Sequence, residues 1–354
     1  MKYSSKPTGI PILITLAAFV VVVAGVRAAE AVVVPFLLSV FIAVISAPAL
    51  LWLENKRVPR WLAMLIVLGV IILIAILISI LIGSSIKDFS QDLPQYQQRL
   101  SGLLVQTTAW LNQFGIDLSA STLISYLNPG AAMQLVADML NGLGSVFGNI
   151  FLILLTVVFI LFEASSVPHK LRAGLPNADE SLDAFAIVAS NVNSYLAIKT
   201  ITSVATGIIV VIALATLGVD YPLLWGIIAF LFNYIPNIGS IIAAVPAVLL
   251  ALVQLGVGAA FATTIVYVTV NILIGSVIEP KMMGRQVGLS TLVVFLSLVF
   301  WGWVFGPVGM FLSVPLTMTA KIALESDAKT RWLAILLGND VQANEQISVK
   351  SSAG

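Results

Sequence analysis

Between Arg60 and Lys87 the chain carries no charged side chain. As a helix rising 1.5 Å per residue, residues 61–86 extend about 39 Å. The hydrocarbon core of a bilayer is about 30 Å thick and is crossed by about 20 apolar residues. A run of this length and purity reads as a membrane span. Further apolar runs at 10–26, 31–53, 146–163, 196–217 and 259–278 meet or approach the same test. The first has Lys2 and Lys6 before it and Ala29-Glu30-Ala31 after it, as a secretory signal would. Its apolar stretch is too long for such a signal and a second span follows at once, so it is read as a retained helix. Composition agrees: only 9% of residues are charged and 60% are hydrophobic, where a soluble domain carries about 25% charge.

Those proportions exclude a soluble enzyme and a disordered chain. A net charge of +1 gives no basic field for nucleic acid. The absence of cysteine removes disulfides, thiol nucleophiles and thiolate metal sites, and His169 is the only histidine. No phosphate loop, Gly-x-Ser-x-Gly or His-Glu-x-x-His occurs. We therefore expect no enzyme, no cofactor and no metal site.

Two stretches do not fit the bilayer. Residues 223–253 and 289–321 would extend about 46 Å and about 50 Å as straight helices, too long for one span and too short for two. Each is broken near its middle, by Asn233-Tyr234-Ile235-Pro236-Asn237-Ile238-Gly239 and by Gly306-Pro307-Val308-Gly309. Proline removes a backbone donor and clashes with the preceding turn. The freed groups cannot face lipid, so each break must be buried in protein or line a cavity. The simplest expectation is two re-entrant hairpins; the alternative is two long, Pro-kinked spans. The fold expected is an all-α polytopic membrane protein of about six transmembrane helices plus these two elements, up to eight membrane segments.

Basic residues favour cytoplasmic loops. With hairpins, every Lys and Arg except Arg27, Lys87 and Arg99 falls on the cytoplasmic side. Single spans would move Lys281 and Arg285 outside, which fits less well. Either way both termini are cytoplasmic.

The two broken stretches also match each other. Pro236-x-x-Gly239 is followed by Val245-Pro246, and Pro307-x-Gly309 by Val314-Pro315. Aromatic residues crowd before each break, and each stretch follows one ordinary span and a short turn. The order span, hairpin, span, hairpin, with the hairpins opening to opposite sides, is an inverted repeat. That is a layout of secondary transporters, whose site lies at the repeat interface.

The expected organisation is a three-helix membrane region over 1–86, an exposed amphipathic helical segment over 87–145, the fourth span with a cytoplasmic interfacial helix over 146–195, the inverted-repeat transport region over 196–337, and a disordered tail over 338–354. In the exposed segment Phe89, Leu93, Tyr96, Leu100, Leu103, Thr107, Trp110 and Phe114 recur at helical spacing, as a stripe that must pack on something.

Polar groups at membrane depth are costly and so are functional candidates. Asn233, Asn237 and Ser240, with Pro236 and Gly239, offer neutral donors and acceptors at the first break. Asn271 faces the same region if the repeats pack together. Ser290 and Thr291 open the second stretch, and Gly306 and Pro307 break it. This set suits a hydroxylated solute better than a charged one. Glu163, Lys199, Glu279, Lys281 and Arg285 are candidates for a coupling ion or a gate, Glu279 because it directly precedes Pro280.

The residues Asn233 to Gly239, Ile278-Glu-Pro-Lys-Met-Met-Gly-Arg285, Gly288-Leu-Ser-Thr-Leu292 and Gly306-Pro-Val-Gly-Met310 through Ser313-Val-Pro315 resemble those of the autoinducer-2 exporter family. The resemblance runs over nearly the whole chain. It implies export of the quorum-sensing signal autoinducer-2 across the bacterial inner membrane by a homo-oligomer, a pentamer, in which part of each subunit moves as an elevator. Some relatives are associated with sodium–proton exchange. The readings carried forward are thus a secondary exporter of autoinducer-2, a sodium (or lithium)–proton antiporter, and a membrane scaffold or signal receptor. The partners expected are the solute, the lipid bilayer and further copies of the chain, and no nucleic acid.

Overall fold

The computed structural model describes residues 9–114, 129–164, 166–174, 178–236, 238–283, 288–326 and 330–338. Asn237, Arg285, the link 115–128 and the tail after Gly338 lie outside them. Every regular element among the described residues is helical. The chain divides into two compact units, residues 1–44, 155–188 and 288–354 forming the first and residues 45–154 and 189–287 the second.

In the second unit, the end of α2 (Glu30–Asn55) turns through Arg57, φ 64°, into α3 (Arg60–Gln113). Leu50, Ala63, Met64 and Val67 close that turn as a buried apolar cluster. The third span and the start of the exposed segment prove to be one helix of 54 residues, about 81 Å long. Pro94 lies inside it without ending it. Helix α4 (Pro129–Gly148) packs along α3 and buries Met133, Val136, Ala137 and Leu140. The expected stripe on α3 is buried at Phe89 and Tyr96 but runs out to exposed Trp110 and Phe114, and Thr108 is buried in place of Thr107. Helix α5 (Ile150–Glu163) follows after Asn149.

The segment 164–195 is shared between two helices. It holds the short α6 (Val167–Gly174) and the beginning of α7 (Ala178–Leu217), a single helix of 40 residues that includes the fifth span. No proline or glycine interrupts residues 178–206, so the polar start and the apolar remainder share one helix.

Helix α8 (Pro222–Phe232) then leads to the first break, and α9 (Ile238–Leu255) leads back. The return is direct: the Asp220 amide donates to Gln254 Oε1 at 2.9 Å, and Gln254 Nε2 donates to the Gly218 carbonyl at 3.2 Å. A kinked rod would hold these residues tens of ångströms apart, so the element is a hairpin. Gly256, φ 91°, turns α9 into α10 (Val257–Val270). Helix α10 continues as a π-helical segment, Asn271–Ile278, and then as α11 (Glu279–Met283). The widened turn abuts Pro280, which cannot supply the amide that an α-helix requires there.

The first unit contains α1 (Gly9–Ala28), the start of α2, α12 (Thr291–Ser326) and α13 (Arg331–Leu337). Helix α12 is interrupted by non-helical Phe305 and Gly306, the latter at φ 60°. Its far part also folds back, since Lys321 Nζ donates to the Gly288 carbonyl at 2.9 Å.

Six helices among the described residues are long and apolar enough to cross a membrane. Four of them, Glu30–Asn55, Arg60–Trp110, Ala189–Leu217 and Val257–Met283, contain expected spans, and Ile238–Leu255 and Thr291–Glu325 belong to the two broken stretches, while the expected first and fourth spans are the helices Gly9–Ala28 and Ile150–Glu163.

Candidate functional site

The first hairpin sits on α7 with its backbone nearly touching. A Cβ on Gly226 would lie 2.9 Å from the Gly207 carbonyl oxygen, and one on Gly207 as close to the Gly226 oxygen. Small residues permit such close helix crossings. At the hairpin's mouth, the Trp225 indole donates to the Asp220 carbonyl at 2.9 Å. Tyr96 on α3 donates to Asp220 at 2.9 Å and Tyr221 donates to Asp92 at 2.5 Å. Tyr221 is held at φ 58°, a strained conformation for a residue with a side chain. Burial, and then the Asp92 carboxylate, push its hydroxyl above the ordinary tyrosine range.

The tip lies against the other end of α7. Asn233 Nδ2 donates to Ser203 Oγ at 3.0 Å, and the Tyr234 hydroxyl donates to Thr200 Oγ1 at 2.8 Å. Gly239 starts the returning arm so tightly that a Cβ would lie 1.9 Å from the Phe232 carbonyl oxygen.

Behind this tip is a void of about 10 Å³, lined by Thr206 of α7, Ala229 and Asn233 at the end of α8, Ser240 and Ala243 of α9, and Tyr267, Val270 and Asn271 at the start of the π-turn. It has room for a single water-sized group. Among the described residues the buried Thr206 Oγ1 and Tyr267 OH atoms have no hydrogen-bond partner, nor does Thr263 Oγ1 one turn away on α10. Leaving such a group unpaired costs about 1–3 kcal/mol. Two helix ends meet here, the carboxyl end of α8 and the amino end of α9. One presents carbonyls and the other amides. No charged residue lines the void, so it suits a neutral group that both donates and accepts, such as a hydroxyl, better than an ion.

Of the expected site residues, the structure brings together Asn233, Ser240 and Asn271, with Pro236 and Gly239 shaping the tip. Asn237 lies outside the described residues. Ser290, Thr291, Gly306 and Pro307 belong to the first unit and to opposite ends of one arm. Ser290 caps that arm, accepting from the Val293 amide at 3.2 Å, and Thr291 is exposed. Gly306 and Pro307 form the second tip, where Glu30 Oε1 would lie 3.6 Å from a Cβ on Gly306.

Among the charged candidates, Glu163 is an exposed helix end paired with Lys170 and Ser166. Lys281 is exposed, and Arg285 lies outside the described residues. Lys199 and Glu279 form a buried ion pair at 2.6 Å. Thr206 and Tyr267 were missed from the sequence, although a signal for both exists. Lys199, Ser203 and Thr206 share one face of α7, and Thr263, Tyr267 and Asn271 recur every four residues along α10.

The profile of the AI-2E family transporters matches residues 14–328. The chain is 41% identical over 331 residues to the AI-2 transport protein TqsA of Escherichia coli K12, covering 94% of this chain and 96% of that one. It is 44% identical over 336 residues to a Haemophilus influenzae protein named provisionally for transport, with no solute given, covering 92% and 96%. YhhT of Escherichia coli K12, named in the same provisional way, is 37% identical over 331 residues, covering 94% and 95%.

Proposed function

The chain belongs to the AI-2E family of transporters, and on that premise we propose that it carries a small, uncharged, hydroxylated solute outward across the bacterial inner membrane. It is a multi-pass membrane protein and a transporter, not an enzyme. The solute proposed is autoinducer-2, the one that TqsA is named for. The observation that carries the reading is the neutral void behind the first tip, with its two unpartnered hydroxyls. One hydroxyl of the solute satisfies Thr206 and Tyr267. The rest of the molecule needs the tip to part from Ser203 and Thr200 on α7. Asn233, Ser240 and Asn271 complete the contact, with Asn237 on the same turn of sequence.

Both hairpins are re-entrant in this reading and open to opposite faces of the bilayer, with residues 196–337 as the transport region and both termini cytoplasmic. The distribution of basic residues supports that orientation. Inverted repeats with broken helices support alternating access, here as an elevator within a homo-pentamer.

The test is autoinducer-2 flux in proteoliposomes of purified protein. Asn233→Ala removes the amide from the void and is expected to lower flux about tenfold, the effect of about 1.4 kcal/mol, with assembly intact. Unchanged flux would remove Asn233 from the site. A sodium- or lithium-driven proton signal in the same vesicles, without solute, would favour the antiporter instead.

A further inference from the structure

The buried pair of Lys199 and Glu279 is not used by the solute void. Among the described ion pairs it is the one with both side chains enclosed, at 4% and 13% exposure. A carboxylate kept inside a protein as a strut is expected to have both oxygens satisfied, because a half-satisfied buried network is worse than an apolar one. Glu279 does not meet that expectation. Its Oε1 accepts from Lys199 Nζ, while its Oε2 is shut away from solvent with no partner among the described residues.

The chemistry of the free oxygen selects its ligand. A metal cation on Oε2 would sit within a few ångströms of the Lys199 ammonium, which repels it in a medium that screens poorly. No second carboxylate is described beside it. Among the described residues Lys199 pairs with Glu279, and Tyr195 of α7 lies within the field of its carboxylate and of Tyr234. A proton needs one oxygen only, where a metal ion needs several ligands.

The location ties this oxygen to the tip. Thr200, which accepts from Tyr234, is the residue after Lys199, and Ser203, which accepts from Asn233, is one turn further along α7. Glu279 itself begins α11 directly after the π-turn that starts with Asn271. One turn of α7 therefore clasps both the tip and the far end of the segment that lines the void.

We propose that Glu279 Oε2 is a proton-binding site that couples proton entry to release of the first hairpin tip. A hydronium ion gives its proton to Oε2, an O–H bond forms and water leaves. The carboxylate becomes neutral, Lys199 keeps its charge, and the pair goes from neutral to one positive charge. The ammonium, now unpaired in a dry place, is driven toward polar surroundings, and the clasp on α7 loosens. The coupling ion is thus a proton and not sodium. What the proton is coupled to rests on the transport reading; the proton site itself does not.

Infrared difference spectroscopy of the full-length protein in lipid nanodiscs tests the site without any solute. The sample is acidified stepwise. This should raise a carbonyl-stretch band of a protonated carboxyl that Glu279→Gln lacks. Replacing choline chloride with sodium chloride should leave that band unchanged. Lys199→Arg holds the carboxylate with a more persistent cation and should move the midpoint to lower pH. Hydrogen exchange over residues 233–240 should rise on acidification in the wild type and not in Glu279→Gln. Absence of a Glu279-dependent band, its suppression by sodium, or an unmoved midpoint in Lys199→Arg would each overturn the proposal. An intact band together with no autoinducer-2 flux would instead count against the transport reading alone.

Discussion

The two hairpins share a frame and differ in what the frame holds. Each mouth has a glycine in the left-handed region, Gly218 at φ 78° and Gly288 at φ 57°. In each, that glycine's carbonyl accepts from a side chain on the returning arm, Gln254 in one and Lys321 in the other. Each returning arm starts with a glycine pressed on the outgoing arm, so that a Cβ would lie 1.9 Å from the Phe232 oxygen or 1.8 Å from the Trp301 oxygen. Each then carries an internal proline, Pro246 or Pro315.

The contents are different. The first tip is polar, with Asn233 and Tyr234 bonded to α7 and unpartnered hydroxyls behind it. The second is aromatic: Trp301 stacks on Phe305 at 5.8 Å, the Arg27 guanidinium lies over Trp303 at 4.5 Å, and Met310 fills the space a side chain on Gly302 would need. Its indole donor is satisfied within the hairpin, by Thr317 at 3.0 Å. A repeated backbone device can thus be kept while the side chains it holds differ.

The largest effects should fall on the shared frame, and equally on both copies. Gly239→Val and Gly309→Val force a side chain onto a backbone carbonyl that cannot yield, and each should cost about 3 kcal/mol or more. Thermal unfolding of the purified protein checks this. A large loss in one variant alone would break the equivalence of the two tips.

Smaller effects should appear at the mouths. Gln254→Ala leaves the Asp220 amide and the Gly218 carbonyl without their side-chain partners, and Lys321→Ala does the same to Gly288. Each should lower stability by about 1–2 kcal/mol, read as a shift in the denaturation midpoint. Hydrogen exchange should rise at 218–222 in the first variant and at 288–293 in the second.

At the second tip, Trp301→Phe loses one satisfied hydrogen bond and should cost about 1 kcal/mol of stability without changing solute flux. A flux defect there as large as that of Asn233→Ala would show that the aromatic tip takes part in the site. The smallest effect expected is at Tyr221→Phe, which removes the bond to Asp92 and the hydroxyl's interaction with Tyr96 and should cost about 0.5–1.5 kcal/mol in thermal unfolding.

Both breaks and the glycines and prolines that build them were legible, because a ruler of bilayer thickness exposes any apolar stretch of the wrong length. That the stretches fold back could be expected from the same ruler, and Gln254 and Lys321 are the residues that close them. Less was legible where nothing marks a boundary. Charges after Ile86 suggested a new segment, yet helix-forming residues continue through them and α3 runs on to Gln113. The π-turn at Asn271 has no signature of its own beyond Pro280 downstream. Asn233, Ser240 and Asn271 stood out as polar residues beside breaks. Thr206 and Tyr267 lie inside regular apolar helices, where only their spacing from Ser203, Thr263 and Asn271 singles them out.

The central claim is that the solute is held by the void behind the first tip. It is tested most directly by autoinducer-2 flux through proteoliposomes of the Thr206→Val/Tyr267→Phe double variant, with thermal unfolding measured on the same preparation. Neither hydroxyl has a partner among the described residues, and removing an unsatisfied buried hydroxyl is neutral or stabilising. The account predicts unfolding at the wild-type temperature or above it, with flux lowered about tenfold or more, as expected for loss of hydrogen bonds made only to the solute. Wild-type flux in a variant of undiminished stability would contradict it.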